Sequence, residues 1–200
     1  MKNKQYEKQP ITKQTLNEYL KSQYQNYKII KSKEITKMEP LLQNDYGGDM
    51  DCTLTSITTA IHHKLPTMKP SYIYERVERI AKHHWYKDTY GTFSITVKSI
   101  YEEVLTEYGL AKRTKWKLLK GIGITSKELI KALDNDTPII LNFMHDGRKY
   151  QSNHTVLLIG YDILTVGKKT YYMFRMCDNW NKEITFLDWQ LLSFICSANY

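Results

Sequence analysis

The chain has 200 residues and 23.7 kDa, with 42% hydrophobic residues, which suits one domain with an ordinary core. No apolar run approaches the roughly 20 residues that span a bilayer, and the start MKNKQYEKQP lacks the apolar segment of a secretory signal, so a cytoplasmic protein without a membrane partner is expected. The formal net charge of +8 suits an acidic partner, but the lysines are spread beyond modest clusters at KIIKSKEITK and KRTKWKLLK; with no recognition helix or aromatic-basic motif, they read as a solvated surface and no nucleic-acid partner is expected.

In chain order, residues 1–10 read as disordered, and TLNEYLKSQYQNY as a polar helix, so residues 1–40 are expected to form an arm on a domain spanning 41–200. LLQNDYGGDMD is loop-like. Leu54, Ile57, Ala60, Ile61 and Leu65 then recur at helical spacing until Pro66, which places Cys52 at a helix N-terminus. Further helices are expected from Ser71 to His84, from Ser94 to Tyr108 and from Thr125 to Leu133. In the second, Ser94 can cap the start and Gly109 the end; the third opens on Thr125-x-x-Glu128, a capping box. From residue 138 the pattern changes. PIILNF, HTVLLIGYDI and KTYYMFRMCD are rich in β-branched and aromatic residues and are separated by the turn-formers HDGRKYQSN and TVGKK, so they read as strands. Helices first and strands afterwards predict an α+β domain, its N-terminal helices packed on a C-terminal antiparallel sheet.

Cys52, Cys177 and Cys196 match no disulfide framework or zinc spacing, and Cys177 and Cys196 read as packed, inert thiols. The doublets His62-His63 and His83-His84 project in different directions on a helix and have no carboxylate at ligand spacing. The aspartates of 45–51 lack the twelfth-position glutamate of a calcium loop. No metal or cofactor is therefore expected.

Cys52 differs from the other two in position. Unpaired N–H groups and the positive end of the dipole favour a thiolate at a helix start, where a nucleophile profits. It needs a base, and His154 opens a strong strand after a polar loop. Asp178, at the end of the next strand, can orient the imidazole. In that set the sulfur attacks a carbonyl carbon, the imidazole protonates the leaving amine, and the third residue fixes its tautomer.

A Cys opening a helix, an H-x-V-x-x-x-G-Y strand and a following D-N-W element resemble the papain-like cysteine peptidases. GTFSITVKSIYEEVLTEYGL, TSKELIKALDNDTPIILNF and NHTVLLIGYD resemble the compact bacterial branch that holds the double-glycine leader peptidases. The resemblance implies Cys52 as nucleophile, His154 as general acid and base, and Asp178 or Asn179 as third member. It also implies an oxyanion donor before the Cys, for which Gln43 and Asn44 are the candidates. Tyr46 stands where the family usually places that glutamine, and Thr53 where it commonly has glycine. The expected substrate is a peptide or protein. The same triad would serve an acyltransferase or transglutaminase-like enzyme, and a papain-like binding domain without activity is the third reading.

Overall fold

The computed structural model describes residues 10–110, 113–118, 123–145, 154–192 and 194–200. The chain runs β1 (Ile11–Thr12), α1 (Leu16–Gln23), β2 (Lys28–Glu34), α2 (Cys52–Lys64), α3 (Pro70–His83) and α4 (Val97–Glu107). It continues through β3 (Trp116–Leu118), α5 (Ser126–Asp134), β4 (Ile139–His145), β5 (His154–Val166), β6 (Lys169–Cys177), β7 (Thr185–Asp188) and β8 (Phe194–Asn199). The expected α+β architecture is present: helices pack on a sheet whose strand pairings are antiparallel, in the order β1-β7-β6-β5-β4-β8-β3.

β5 organises the sheet. One edge carries β6, from Leu157↔Cys177 to Val166↔Lys169. The other is shared: β4 pairs its first half, Phe143↔His154 to Ile139↔Leu158, and β2 its second, Glu34↔Gly160 to Lys28↔Thr165. Gly160 sits where that edge changes partner. A Cβ there would fall 2.4 Å from the Lys33 carbonyl oxygen, so the approach of β2 requires glycine. Residues 154–162 of β5 are buried without alternation, because both faces are covered.

α2 is the central helix. Leu54, Ile57, Ala60 and Ile61 are fully buried, and so are Thr55, Ser56 and Thr58 on its other sides. Hydroxyls in such a helix need acceptors: Thr58 and Thr59 each donate to the carbonyl four residues back, at 2.8 Å. Truncating Ile57 to Ala would cost about 3 kcal/mol through lost burial and a cavity.

Several local expectations hold. Thr125 Oγ1 accepts the Glu128 N–H at 3.3 Å, and Gly109 closes α4 with φ +67°. Ser94 does not cap α4. The helix starts at Val97 after Thr96, and the Ser94 hydroxyl donates instead to Asn142 Oδ1 at 2.5 Å. The arm is a helix as expected, but β1 and β2 on either side of it enter the main sheet. Tyr19, Leu20 and Tyr24 bury against Leu164, Met173 and Phe186. The expectations for residues 1–9, for most of the HDGRKYQSN turn and for the Cys196 side chain fall outside the described residues.

Candidate active site

Three elements meet around Cys52. α2 supplies it as its first residue, partly exposed at the helix start. β5 supplies His154 as its first residue, and the turn after β6 supplies Asp178 and Asn179. Pairing of β5 with β6 brings the end of one strand to the start of the other. The chain then bends at Asn179, whose φ of +64° lies in the left-handed region that asparagine tolerates better than most side chains.

His154 is buried, and its Nε2 lies 3.0 Å from the Asp178 carbonyl oxygen. A carbonyl only accepts, so Nε2 carries the hydrogen and Nδ1 is the basic nitrogen of the neutral ring. Trp180, 39% exposed, lies against the imidazole with ring centroids 4.3 Å apart, and Phe143 meets it edge-on at 6.1 Å. These rings fix the imidazole plane. The Asp178 carboxylate accepts the backbone N–H groups of Trp180 (3.0 Å) and Asn181 (2.8 Å) and the Asn181 side-chain amide. Asp178 thus reaches the histidine through its main chain while its carboxylate shapes the turn.

Asn179, the rival third member, bonds elsewhere. Its Nδ2 donates to the carbonyl oxygens of Cys52 (2.9 Å) and Thr155 (2.8 Å) and to Ser56 Oγ (2.9 Å), tying the start of α2 to β5. Its Oδ1 is buried without a partner among the described residues. Of the two oxyanion candidates, Gln43 is buried and Asn44 is exposed. Gln43 N donates to the Asn179 carbonyl and its Nε2 to the Asp49 carbonyl, both at 3.0 Å, so the loop before Cys52 is tied to the turn after β6.

Burial pushes the Cys52 thiol up, against hydrogen bonds from the main chain and side chain of Thr155 and of Thr53 that favour the charged form. The balance differs from a thiolate set by the helix start alone. Burial thus favours the thiol form of Cys52 over the thiolate. Burial raises the Cys177 thiol too, assisted by the nearby charges of Asp178 and Glu34.

Sequence reasoning missed two features. Asp51 precedes the cysteine, but its side chain does not cap α2. Its buried carboxylate accepts the hydroxyls of Tyr74 (2.8 Å) and Tyr86 and the Gly48 N–H. A Cβ on Gly47 would fall 1.8 Å from Asp51 Oδ2, which explains one glycine of the pair. The second feature is a set of hydroxyls between α2 and β5: Thr53 and Thr155 lie 2.8 Å apart, with Thr92 on the first at 2.6 Å and Asn142 on the second at 2.8 Å. An acidic residue directly before the cysteine was the one available signal for Asp51; residues 39 to 102 apart gave none for the hydroxyls.

A buried central helix opening on a cysteine, against a sheet strand opening on a histidine, is the arrangement of the papain-like cysteine peptidases. The chain belongs to the Peptidase C39-like family, whose family model matches residues 35–186. No curated protein was found to match the chain. The family is one of cysteine peptidases.

Proposed function

We propose that this protein hydrolyses peptide bonds through an acyl-enzyme, with Cys52 as nucleophile, His154 as general acid and base, and Asp178 as the residue that orients the imidazole. One observation carries the reading: Asn179 Nδ2 ties the Cys52 carbonyl to that of Thr155, the neighbour of His154, which brings the two element starts together, while Nε2 of His154 is engaged by the Asp178 carbonyl. Nδ1 is then the nitrogen suited to the thiol proton.

In the first step Sγ bonds to the substrate carbonyl carbon, the proton passes to Nδ1, and the C=O electron pair moves onto oxygen. N–H groups at the start of α2 and the second Nε2 proton of Gln43 stabilise that oxyanion; Asn44 is too exposed for the role. Collapse breaks the C–N bond, and the amine leaves with the proton from Nδ1. Water activated by Nδ1 then hydrolyses the thioester and restores the thiol.

The test is cleavage of a peptide library read by mass spectrometry. Peptides with a leader ending in double glycine come first, since the resemblance to that bacterial branch implies them. New termini should form with the wild type and fall at least about 10³-fold with Cys52→Ala or His154→Ala. Adduct formation only when a primary amine is added would replace hydrolysis by acyl transfer. No product under either condition, with an unreactive Cys52, would leave a binding domain.

A further inference from the structure

Asn179 is fully buried and joins three separate parts of the site. Its carbonyl accepts the Gln43 N–H at 3.0 Å, which ties down the loop before Cys52. Its side-chain nitrogen lies 2.9 Å from the carbonyl oxygen of Cys52, the first residue of α2, and 2.8 Å from that of Thr155, the second residue of β5. Carbonyl oxygens only accept, so the amide must turn Nδ2 toward them, and Ser56 Oγ at 2.9 Å shares the same two protons. One residue earlier, the Asp178 carbonyl accepts from His154 Nε2. The helix that opens on Cys52 and the strand that opens on His154 thus meet on a single side chain.

That orientation carries a penalty. It leaves Oδ1 buried with no partner among the described residues, and a buried acceptor without a donor lowers stability. The bend at φ +64° is met more readily still by glycine. Neither packing nor the turn calls for an asparagine here, whereas two main-chain carbonyls at the starts of α2 and β5 call for its N–H pair. We propose that Asn179 is the positioning residue that sets Cys52 against His154, acting through the Cys52 carbonyl rather than on the imidazole. The proposal rests on the reading of Cys52 as nucleophile and His154 as base. It gives Asn179 a role distinct from the third member of the triad, for which the sequence offers it as the alternative to Asp178. Without the amide, no N–H joins the Cys52 and Thr155 carbonyls, and the start of α2 is free to shift against β5. A shift on the order of 1 Å between reacting groups costs up to about 100-fold in rate.

The experiment is the pH dependence of Cys52 alkylation by iodoacetamide in wild type, Asn179→Gly, Asn179→Ala and His154→Ala, with urea unfolding of each. Glycine keeps the left-handed bend and removes only the side chain; alanine removes the same amide and strains the bend. Both variants should slow alkylation about tenfold on the acid side of the thiol inflection, to the level of His154→Ala, and leave the alkaline limb within about twofold. Asn179→Ala should unfold at lower urea than Asn179→Gly while sharing its profile. If Asn179→Gly does not fold, Asn179→Asp is read in its place, because aspartate also tolerates the bend and lacks the two N–H donors.

A merely structural role predicts lower stability with the wild-type profile kept in the folded protein, and that result would overturn the proposal. So would a profile lost in Asn179→Ala and kept in Asn179→Gly, which would assign the effect to the bend. The peptidase reading fails separately: a wild type whose profile matches that of His154→Ala would remove it, and the positioning role with it.

Discussion

Asp51 and Asp188 are both 3% exposed, and each carboxylate accepts two tyrosine hydroxyls and one backbone N–H. For Asp51 these come from Tyr74, Tyr86 and Gly48; for Asp188 from Tyr19 (2.7 Å), Tyr24 and Gln190 (2.9 Å). Local chemistry is matched and location is not. Asp51 stands between the loop of Gln43 and the first residue of α2, and its carbonyl accepts the Thr55 N–H that opens the helix. Asp188 ends β7 and receives both tyrosines from the N-terminal arm. One device holds the loop before Cys52 in register with its helix, and the other holds an arm to the sheet. A buried carboxylate with full hydrogen bonding is thus a general anchor here, and function depends on what it anchors.

Removing the two carboxylates is the strongest way to test that comparison. Asp51→Ala and Asp188→Ala each remove a carboxylate that accepts two tyrosine hydroxyls, and both should lower stability by about 3 kcal/mol in urea unfolding. Cys52 alkylation should slow about tenfold or more in the first and stay unchanged in the second. Equal effects on the thiol would erase the distinction. Gly47→Ala comes next, at about 2 kcal/mol, since its Cβ would displace the Asp51 carboxylate. It should also slow alkylation. Smaller still are Tyr74→Phe, Tyr86→Phe, Tyr19→Phe and Tyr24→Phe, each removing one bond to a charged group at about 1.5 kcal/mol. Only the first pair should touch Cys52.

The smallest effect is alkaline. Burial, and then the bond to Asp51, raise Tyr74 and Tyr86 above the ordinary tyrosine value of 10.0. A group raised in the folded state contributes stability that is complete below its unfolded value and is lost as pH climbs toward the folded one. Stability should therefore fall as pH rises above about 10, and Tyr74→Phe/Tyr86→Phe should flatten that fall in thermal melts. An unchanged slope would detach the phenols from the carboxylate.

These anchors were invisible in the sequence for a physical reason. Tyr74 lies 23 residues from Asp51 and Tyr86 lies 35, and no local period reports such pairs. By contrast, α2 was legible from Leu54, Ile57, Ala60 and Ile61 closed by Pro66, and β5 and β6 from branched and aromatic runs around the TVGKK turn. β2 was missed because KIIKSKE is polar and mostly exposed; it becomes a strand through pairing with β5. β7 and β8 escaped as short runs, TFLD and FICSAN, between weak turn signals. At the site, Cys52 and His154 were legible because each opens an element. The division of labour between the Asp178 carbonyl and carboxylate was not, since it depends on the left-handed bend at Asn179.

The central claim is that His154 takes the proton of Cys52. Its most direct measurement is the pH dependence of Cys52 alkylation in wild type and His154→Ala. With burial holding the thiol up, the account predicts a shoulder on the acid side of the thiol inflection in the wild type, carried by the imidazole. That shoulder should vanish in His154→Ala, leaving a rate that rises only above about pH 9. Superimposable profiles for the two proteins would contradict the account.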